Sequence, residues 1–336
     1  GTKSPVFIFN GEYMTVSDMK FMAWVGNNYT GLDASPLYPV AALQNAVQTG
    51  GTYKSGGLFE RLDFENAWGG IILDTRFGAL ARNCAATMTN GNLQQYITWF
   101  FQMGYCDANT WMEDITYTAT EVGSAFEIFQ GDGGGFRRCK ATQGVVSSNS
   151  SGGSWLMEDM VVSVNWNNIP EFDWHDASGP GINVNTNIGG GAQNPGIIVE
   201  GGTIRNPTIT IVKDGTGRMA AGININGGAV NITVEGTHPA KPGQGVITMS
   251  DYQVGDAGRG ATGILSDPSG TVIRGMRVIG ASNAGGGEFS NISIRSSDGV
   301  IEDCVAETMA IQNSGGTHVS QQGLNGNITN AEYEAL

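Results

Sequence analysis

One short stretch of this sequence gathers several chemically reactive residue types. Residues 171–179, EFDWHDASG, contain His175, one of only three histidines in 336 residues, between Asp173 and Asp176. Histidine has an unperturbed pKa close to neutral pH, so it can accept and return a proton there. Two interpretations stay open: a cluster for proton transfer, or a polar turn in which His175 is held by its neighbouring carboxylates.

The elements that position this stretch are indicated by a repeated four-residue phrase: apolar, polar, polar, then apolar or small. Short alternating β-branched segments, broken by Gly, Asn and Ser, lie between the copies and predict short strands. Stacked coils of ~20–30 residues built from such strands are typical of a parallel β-helix. The copies are FERL at 59, ARNC at 81, MEDI at 112, FRRC at 136, MEDM at 157, VEGG at 199, IRGM at 273 and IEDC at 301.

This pattern resembles the right-handed parallel β-helix superfamily of pectate lyases, alginate epimerases and phage tailspikes. The resemblance implies an all-β fold, a right-handed single-stranded parallel β-helix of roughly ten coils, over residues 58–314. An entry segment at 1–57 and a C-terminal tail at 315–336 would flank it. In the entry segment, residues 34–50 carry apolar residues at helical spacing and predict a short N-terminal α-helix. In tailspike-like proteins such a helix covers the open end of the coil.

The phrase also predicts which side chains enter the core. Its fourth position points inward in a β-helix, which assigns Cys84, Cys139 and Cys304 to an interior ladder. The four cysteines lie far apart without a C-x-x-C pair, so neither a disulfide framework nor a zinc site is expected. Residues 88–111 are longer than one coil needs and predict a projecting aromatic loop.

The second and third positions of the phrase point outward and carry mostly charged side chains. If MEDI, FRRC and MEDM are consecutive coils, Glu113 and Glu158 bracket Arg137 at two strand spacings, which suits an inverting glycosidase. The alternative is a ladder in which acids and arginines of adjacent coils pair without catalytic use. The outward residues are Glu60, Glu113, Asp114, Arg137, Arg138, Glu158, Asp159, Glu200, Arg274, Glu302 and Asp303.

A local resemblance gives the opening stretch a sharper reading. Residues 157–176, MEDMVVSVNWNNIPEFDWHD, resemble the active-site coil of mannuronan C5-epimerases, where a strand precedes an F-D-x-H-acid motif. The resemblance implies catalytic roles for Asp173 and His175 in moving a proton at the sugar C5, with Asp176 beside them. Lys140 and Glu200 are the approximate counterparts of that family's Lys and second Asp. Trp166, Trp174, Arg138 and Lys140 are the predicted substrate-binding residues.

Composition excludes several other classes of protein. The net charge of −14 and the pI near 4.5 argue against nucleic acid or an anionic membrane surface as a partner. No run of 18 apolar residues is present, so no membrane insertion is expected. No cofactor is predicted, and the glycine-rich turns lack the features of a phosphate-binding loop. Calcium bound by DWHD and Asp159 is kept as an alternative, although no regular calcium-binding spacing supports it.

These observations favour a glycan-directed protein. The prediction is a phage tailspike-like protein, a homotrimer of the virion tail, that binds and cleaves a bacterial surface polysaccharide as a glycoside hydrolase or lyase. One alternative is a secreted polysaccharide lyase or C5-epimerase. A further alternative is a non-catalytic glycan-binding adhesin or structural spike, because the outward ladders of catalytic and non-catalytic β-helices look the same.

Overall fold

A computed structural model shows an all-β chain that winds into a parallel β-helix. Each coil contributes short strands that pair in parallel with the equivalent strands of the coils before and after it. Among the described residues, the only antiparallel pair of named strands is the last one. The described residues are 14–22, 56–66, 70–74, 78–89, 100–104, 106–129, 133–149, 154–165, 182–185, 202–212, 220–226, 232–236, 245–250, 261–280 and 292–336.

The strands form three stacks along the helix, here called sheets A, B and C. Four long strands turn a corner and belong to two sheets, while the others belong to one. The long strands are β1 (Met14–Met22) and β2 (Gly57–Glu65), which run from A into B, and β8 (Thr116–Phe129) and β10 (Lys140–Asn149), which run from B into C.

Sheet A continues with eight three-residue strands, and each of them ends on the first two residues of the phrase. They are β4 (Leu80–Arg82), β7 (Trp111–Glu113), β9 (Gly135–Arg137), β11 (Leu156–Glu158), β14 (Thr203–Arg205), β17 (Thr233–Glu235), β20 (Val272–Arg274) and, closing the stack as an eighth, β23 (Val300–Glu302).

Sheets B and C complete each coil. Sheet B contains β5 (Ala85–Met88), β12 (Val161–Asn165), β15 (Thr208–Val212), β18 (Val246–Ser250) and β21 (Arg277–Ile279). Sheet C contains β3 (Ile72–Asp74), β6 (Phe101–Gly104), β13 (Ile182–Asn185), β16 (Ala220–Asn226), β19 (Ala261–Ser266), β22 (Ile294–Ser297), β24 (Met309–Gln312) and the antiparallel β25 (His318–Ser320).

The third residue of the phrase makes the corner between sheets A and B. At nearly every described copy this residue has a φ between 48° and 60°, the left-handed region that Asn, Asp and Gly tolerate best. The composition of the phrase therefore reflects a backbone requirement. These corner residues are Asp18, Arg61, Asn83, Asp114, Arg138, Asp159, Asn206, Gly275 and Asp303.

The register of the strands shows that one predicted copy of the phrase was wrong. Strand β11 pairs Met157 with Ile204, so this coil carries IRNP at 204–207 in the phrase position, and VEGG at 199 is not a copy. Two further copies were missed: β1 carries VSDM at 16–19, and β17 carries Val234 and Glu235 in register. Proline at the fourth position hid the copy at 204, and threonine at the fourth position hid the copy at 234.

The core is a set of ladders stacked along the helix axis. The first position of the phrase is buried in every described coil, as are Cys84, Cys139 and Cys304 at the fourth position, which confirms their predicted place. Phe100 and Phe101, within the predicted aromatic loop, are fully buried, so that part of the prediction was wrong. Their rings meet each other and Phe64 edge to face, and Phe101 stacks on Phe126, because a long apolar segment gains more from burial than from projection.

Both segments predicted to flank the β-helix contact its coils. The stack begins before residue 58, since β1 pairs with β2 along its length. The predicted α-helix at 34–50 lies outside the described residues. At the other end, residues 315–336 pack against the last coil: the Asn327 side chain accepts from the Cys304 N–H at 3.0 Å and donates to the Ile301 carbonyl at 2.9 Å. A short helix α1 (Asn330–Glu334) follows, with Arg277 stacked over Tyr333.

Burial makes the thiols chemically inert, which gives a direct test of the interior ladder. Burial raises the pKa of Cys84 to about 11 and the pKa of Cys139 and Cys304 to about 12. Because the thiolate is the reactive form, the native protein should not react with Ellman's reagent at mildly alkaline pH. All four thiols should react at once in guanidinium chloride. Rapid labelling of Cys84, Cys139 or Cys304 in the native state would contradict the assigned interior positions.

Candidate functional site

The outer face of sheet A carries a ladder of strictly alternating charge. Each member is the second residue of the phrase and lies in register with the members of the adjacent coils. Here it is called the charge ladder. Its members, in order along the helix, are Glu60, Arg82, Glu113, Arg137, Glu158, Arg205, Glu235, Arg274 and Glu302.

The predicted pair Glu113 and Glu158 lies within this ladder, on consecutive coils around Arg137 as expected. Arg137 lies 3.3 Å from a carboxylate oxygen of each, and its guanidinium stacks 3.5 Å from the centre of the Trp111 ring. Glu158 also binds Arg205 at 3.1 Å. Both carboxylates are therefore engaged by arginines, the arrangement that the ladder alternative predicted. Their catalytic use stays a prediction.

The predicted substrate-binding residues Arg138 and Lys140 occupy different sheets. Arg138 is a corner residue that donates two hydrogen bonds, of 2.8 and 2.9 Å, to the Asp114 carboxylate of the coil before it. Lys140 begins strand β10 in sheet B, between Thr116 and Val161, and its side chain is exposed. The fold thus separates Lys140 from the charge ladder by the width of the corner.

Electrostatics at the ladder and corner favour ionised carboxylates. Hydrogen bonds from Arg82 lower the pKa of Glu60, and those from Arg138 lower the pKa of Asp114. Burial alone would raise the pKa of Glu235, but hydrogen bonds from Arg274 and Arg205 outweigh it and lower the pKa. A general acid needs the opposite shift. These three carboxylates are therefore suited to holding adjacent coils together rather than to donating protons.

The remaining predicted site residues lie outside the described residues. These are Trp166, Asp173, Trp174, His175, Asp176 and Glu200. The register nevertheless shows that Arg205, and not Glu200, follows Glu158 on the charge ladder. Within the described ranges, no cluster of three or more His, Cys, Asp or Glu could hold a metal ion. No helix of those ranges is long and apolar enough to cross a membrane.

A second polar line, which the sequence analysis did not identify, follows the outer face of sheet C. Its residues are flanked on both sides by columns that enter the core, such as Phe126 and Ile128 beside Glu127. Alternation along each strand therefore turns the line away from the core. Here it is called the sheet C line. Its members, from β6 to β22, are Gln102, Glu127, Ser147, Asn183, Asn224, Leu265 and Arg295.

The polar members of the sheet C line are buried although they face outward. Relative exposure is 2% for Glu127, 3% for Ser147, 4% for Asn224 and 6% for Arg295. The Gln102 side-chain amide donates to the Glu127 carboxylate. The Arg295 guanidinium donates to the side-chain oxygen of Gln312 and lies 3.8 Å from Asp267. The polar groups of this outward face are therefore withdrawn from solvent.

Asn224 is a member of the sheet C line whose hydrogen bonding is incomplete. Within the described part of the chain, its buried side-chain oxygen accepts no hydrogen bond. Leaving a buried acceptor unsatisfied costs about 1–3 kcal/mol. A ligand hydroxyl that donated to this oxygen would recover part of that cost.

Chain connectivity joins the sheet C line to the EFDWHDASG stretch. Residues 166–181 connect β12 in sheet B with β13 in sheet C, and Asn183 of β13 takes its place in the line between Ser147 and Asn224. The sequence carries a signal for this face that could have found it: INVN at 182–185 and ININ at 223–226 alternate apolar and amide residues in register. Asn-rich alternation is easily read as ordinary turn composition.

Comparison with known proteins assigns no family. No protein-family model matches the chain, and no match was found among curated proteins or solved structures. Functional inference therefore depends on the geometry of the two outward faces.

Replacing Arg205 by Met tests whether the charge ladder contributes to stability. A carboxylate whose folded-state pKa is lowered stabilises the fold above its unfolded pKa, and that contribution is lost as pH falls through the folded pKa. In Arg205→Met, Glu235 loses one of its two partners, so stability at pH 7 should fall by about 1 kcal/mol or less. The difference from the unmodified protein should vanish below pH ~3, where carboxylates protonate.

Chemical denaturation at the two pH values measures this difference. Lys140→Met, which removes an exposed cation away from the charge ladder, is the matched control and should leave stability at both pH values nearly unchanged. Equal effects of the two substitutions would show that the alternation of charge is not what matters.

Proposed function

We propose that this chain is a tailspike-like, glycan-directed β-helix that binds a bacterial surface polysaccharide along the sheet C line and cleaves it. The observation that carries the proposal is the line itself, in which outward-facing Glu127, Ser147, Asn224 and Arg295 are buried. From Gln102 to Arg295 the line crosses seven adjacent strands, which is about 29 Å at ~4.8 Å per strand. A line of polar groups of that length suits an extended polymer better than a small metabolite.

The chemistry of the line fits a polyhydroxylated chain. Amide, hydroxyl, carboxylate and guanidinium groups offer both donors and acceptors, which sugar hydroxyls need. Glu127 supplies a carboxylate in an enclosed setting, where the charged form is disfavoured unless it is well hydrogen-bonded. The acidic net charge of the chain gives no general attraction for polyanions, so the specific contacts of the line would have to provide recognition.

In the proposed reaction, groups on residues 166–181 act together with the sheet C line. His175 and Asp173 are the proposed proton-transfer pair, because an imidazole can exchange a proton near neutral pH. In hydrolysis, an acid protonates the glycosidic oxygen while a carboxylate activates water at the sugar carbon, and Glu127 is a candidate for either role. Elimination would instead remove the proton at C5 of a uronate. The connectivity of β12 and β13 supports the juxtaposition of these groups.

A non-catalytic spike is the second candidate, and one observation favours it. Most neighbouring members of the charge ladder on sheet A form ion pairs, from Glu60 to Arg274, which indicates a face used for rigidity rather than for chemistry. A rigid β-helix that only binds glycan, as an adhesin or a structural part of a virion, would need the same ladder. The secreted lyase or C5-epimerase alternative is supported by the FDWHD motif alone.

A homotrimer belongs to the tailspike form of this proposal, because exposed sheet faces of a long β-helix can bury against one another. Sedimentation or light scattering measures the assembly state directly. A trimer supports the tailspike form, and a monomer argues against that form while leaving glycan binding open.

The enzymatic proposal is tested by incubating the full chain with a panel of purified bacterial capsular and lipopolysaccharide glycans. We expect new reducing ends from a cognate polymer, with the ultraviolet absorbance of an unsaturated uronate only if the reaction is an elimination. Glu127→Gln and His175→Ala should each lower the rate by about 100-fold or more, the usual effect of removing an acid or base. Asn224→Ala should weaken binding by about tenfold through the lost hydrogen bond.

Glu302→Gln is the matched control for Glu127→Gln. It makes the same change on the outer face of sheet A and should leave the rate unaltered. If a glycan binds and no variant or unmodified protein releases reducing ends, the non-catalytic candidate is correct. If activity persists in both Glu127→Gln and His175→Ala, the proposed site is wrong.

A further inference from the structure

The corner between sheets B and C differs between two neighbouring coils, and one side chain compensates for the difference. In β10 the backbone turns from sheet B into sheet C at Gln143, a single residue with φ 55°. In the next coil, β12 continues straight for two residues beyond Ser163, the last residue it pairs with β10. The backbone of β10 is therefore unable to hydrogen-bond with the end of β12.

The Gln143 side chain occupies the place that the backbone leaves. Its amide oxygen accepts from the Asn165 N–H at 2.6 Å, and its amide nitrogen donates to the Asn165 carbonyl at 3.2 Å. A primary amide presents a donor and an acceptor side by side, as a peptide group does. Gln143 thus adds one more rung to the parallel ladder, made by a side chain, and on its other side Asn165 pairs with Val212 of β15.

The conformation of Gln143 indicates that this rung is favourable. A left-handed backbone costs a non-glycine residue roughly 1 kcal/mol, and Gln is not among the types that tolerate it best. The side chain is also 8% exposed, so its amide would be poorly solvated without partners. Two hydrogen bonds to one residue offset both costs.

Asn165 is the last residue of β12 and is followed by residues 166–181, which contain Asp173 and His175. We infer that Gln143 is a positioning residue: by clamping both backbone groups of Asn165, it fixes the end of β12, from which the chain continues to Asp173 and His175. Its role toward Asp173 and His175 rests on the proposed function, whereas the clamp on Asn165 does not.

Hydrogen–deuterium exchange on the full chain tests the clamp without any substrate. Gln143→Leu keeps much of the side-chain volume but removes both hydrogen bonds, so exchange at the Asn165 amide should rise by about tenfold or more. Gln143→Glu retains the acceptor for the Asn165 N–H but places a carboxylate against the Asn165 carbonyl, and should give an intermediate rate. Thr142→Val, one residue earlier on the outer face of the same strand, is the control and should leave that rate unchanged.

The proposed role of Gln143 toward Asp173 and His175 is tested on the cognate polysaccharide found with the unmodified protein. Gln143→Leu should lower kcat by about tenfold or more while KM and the melting temperature change little, because it displaces reacting groups and leaves the sheet C line intact. Gln143→Glu should again be intermediate. Equal loss of kcat in Gln143→Leu and Thr142→Val, or unchanged exchange at Asn165, would overturn the inference. Faster exchange at Asn165 in a protein that processes no glycan would confirm the clamp and refute only the proposed enzymatic function.

Discussion

Parallel backbone hydrogen bonding in register between successive coils is the constraint on which the rest of this structure depends. It places every side chain about 4.8 Å from its equivalent in the next coil. Two like charges at that distance repel by about 1 kcal/mol in water and by more near a protein surface. A charged column can therefore persist along the helix only if its sign alternates, which is what the ladder from Glu60 to Glu302 does.

The same constraint explains the corner between sheets A and B. A left-handed residue at each coil turns the chain within one position, and Asp, Asn or Gly provides it in most copies. Arg61 and Arg138 are the exceptions, and each donates a pair of hydrogen bonds to an aspartate at the corner of the preceding coil, Asp18 and Asp114. The strain of an arginine in this conformation is thus offset by charge-assisted hydrogen bonds in good geometry.

The two outward faces described above have opposite characters. On sheet A most of the charges pair with one another across partly exposed surface. On sheet C the polar groups are enclosed, and Asn224 keeps an open acceptor. The segment that contains Asp173 and His175 continues along the chain into β13 of the same sheet. Because of this contrast, we place the proposed glycan site on the sheet C line and not on the charge ladder of sheet A, where the acidic residue types first suggested it.

Much of the fold followed from local pattern. The phrase FRRC or MEDI indicates by itself a buried first residue, outward charges and a buried fourth residue, because alternation and corner chemistry act within a few residues. Glu113, Arg137 and Glu158 could be placed on consecutive coils for the same reason. Ile204 was missed because an insertion of unknown length separates it from Met157, and sequence spacing alone cannot show where pairing resumes.

What the sequence by itself determined is therefore the repeat: the inward ladders, the charged outward positions and the acid–histidine stretch at 171–179. Only the tertiary structure decided the partners. It showed that arginines engage Glu113 and Glu158, that Glu127 and Arg295 share one enclosed line, and that Gln143 clamps Asn165. The contacts join residues that are far apart in sequence: 17 positions for Arg295 and Gln312, 22 for Gln143 and Asn165, and 47 for Glu158 and Arg205. Their geometry depends on how many residues each coil loops out before it returns to register.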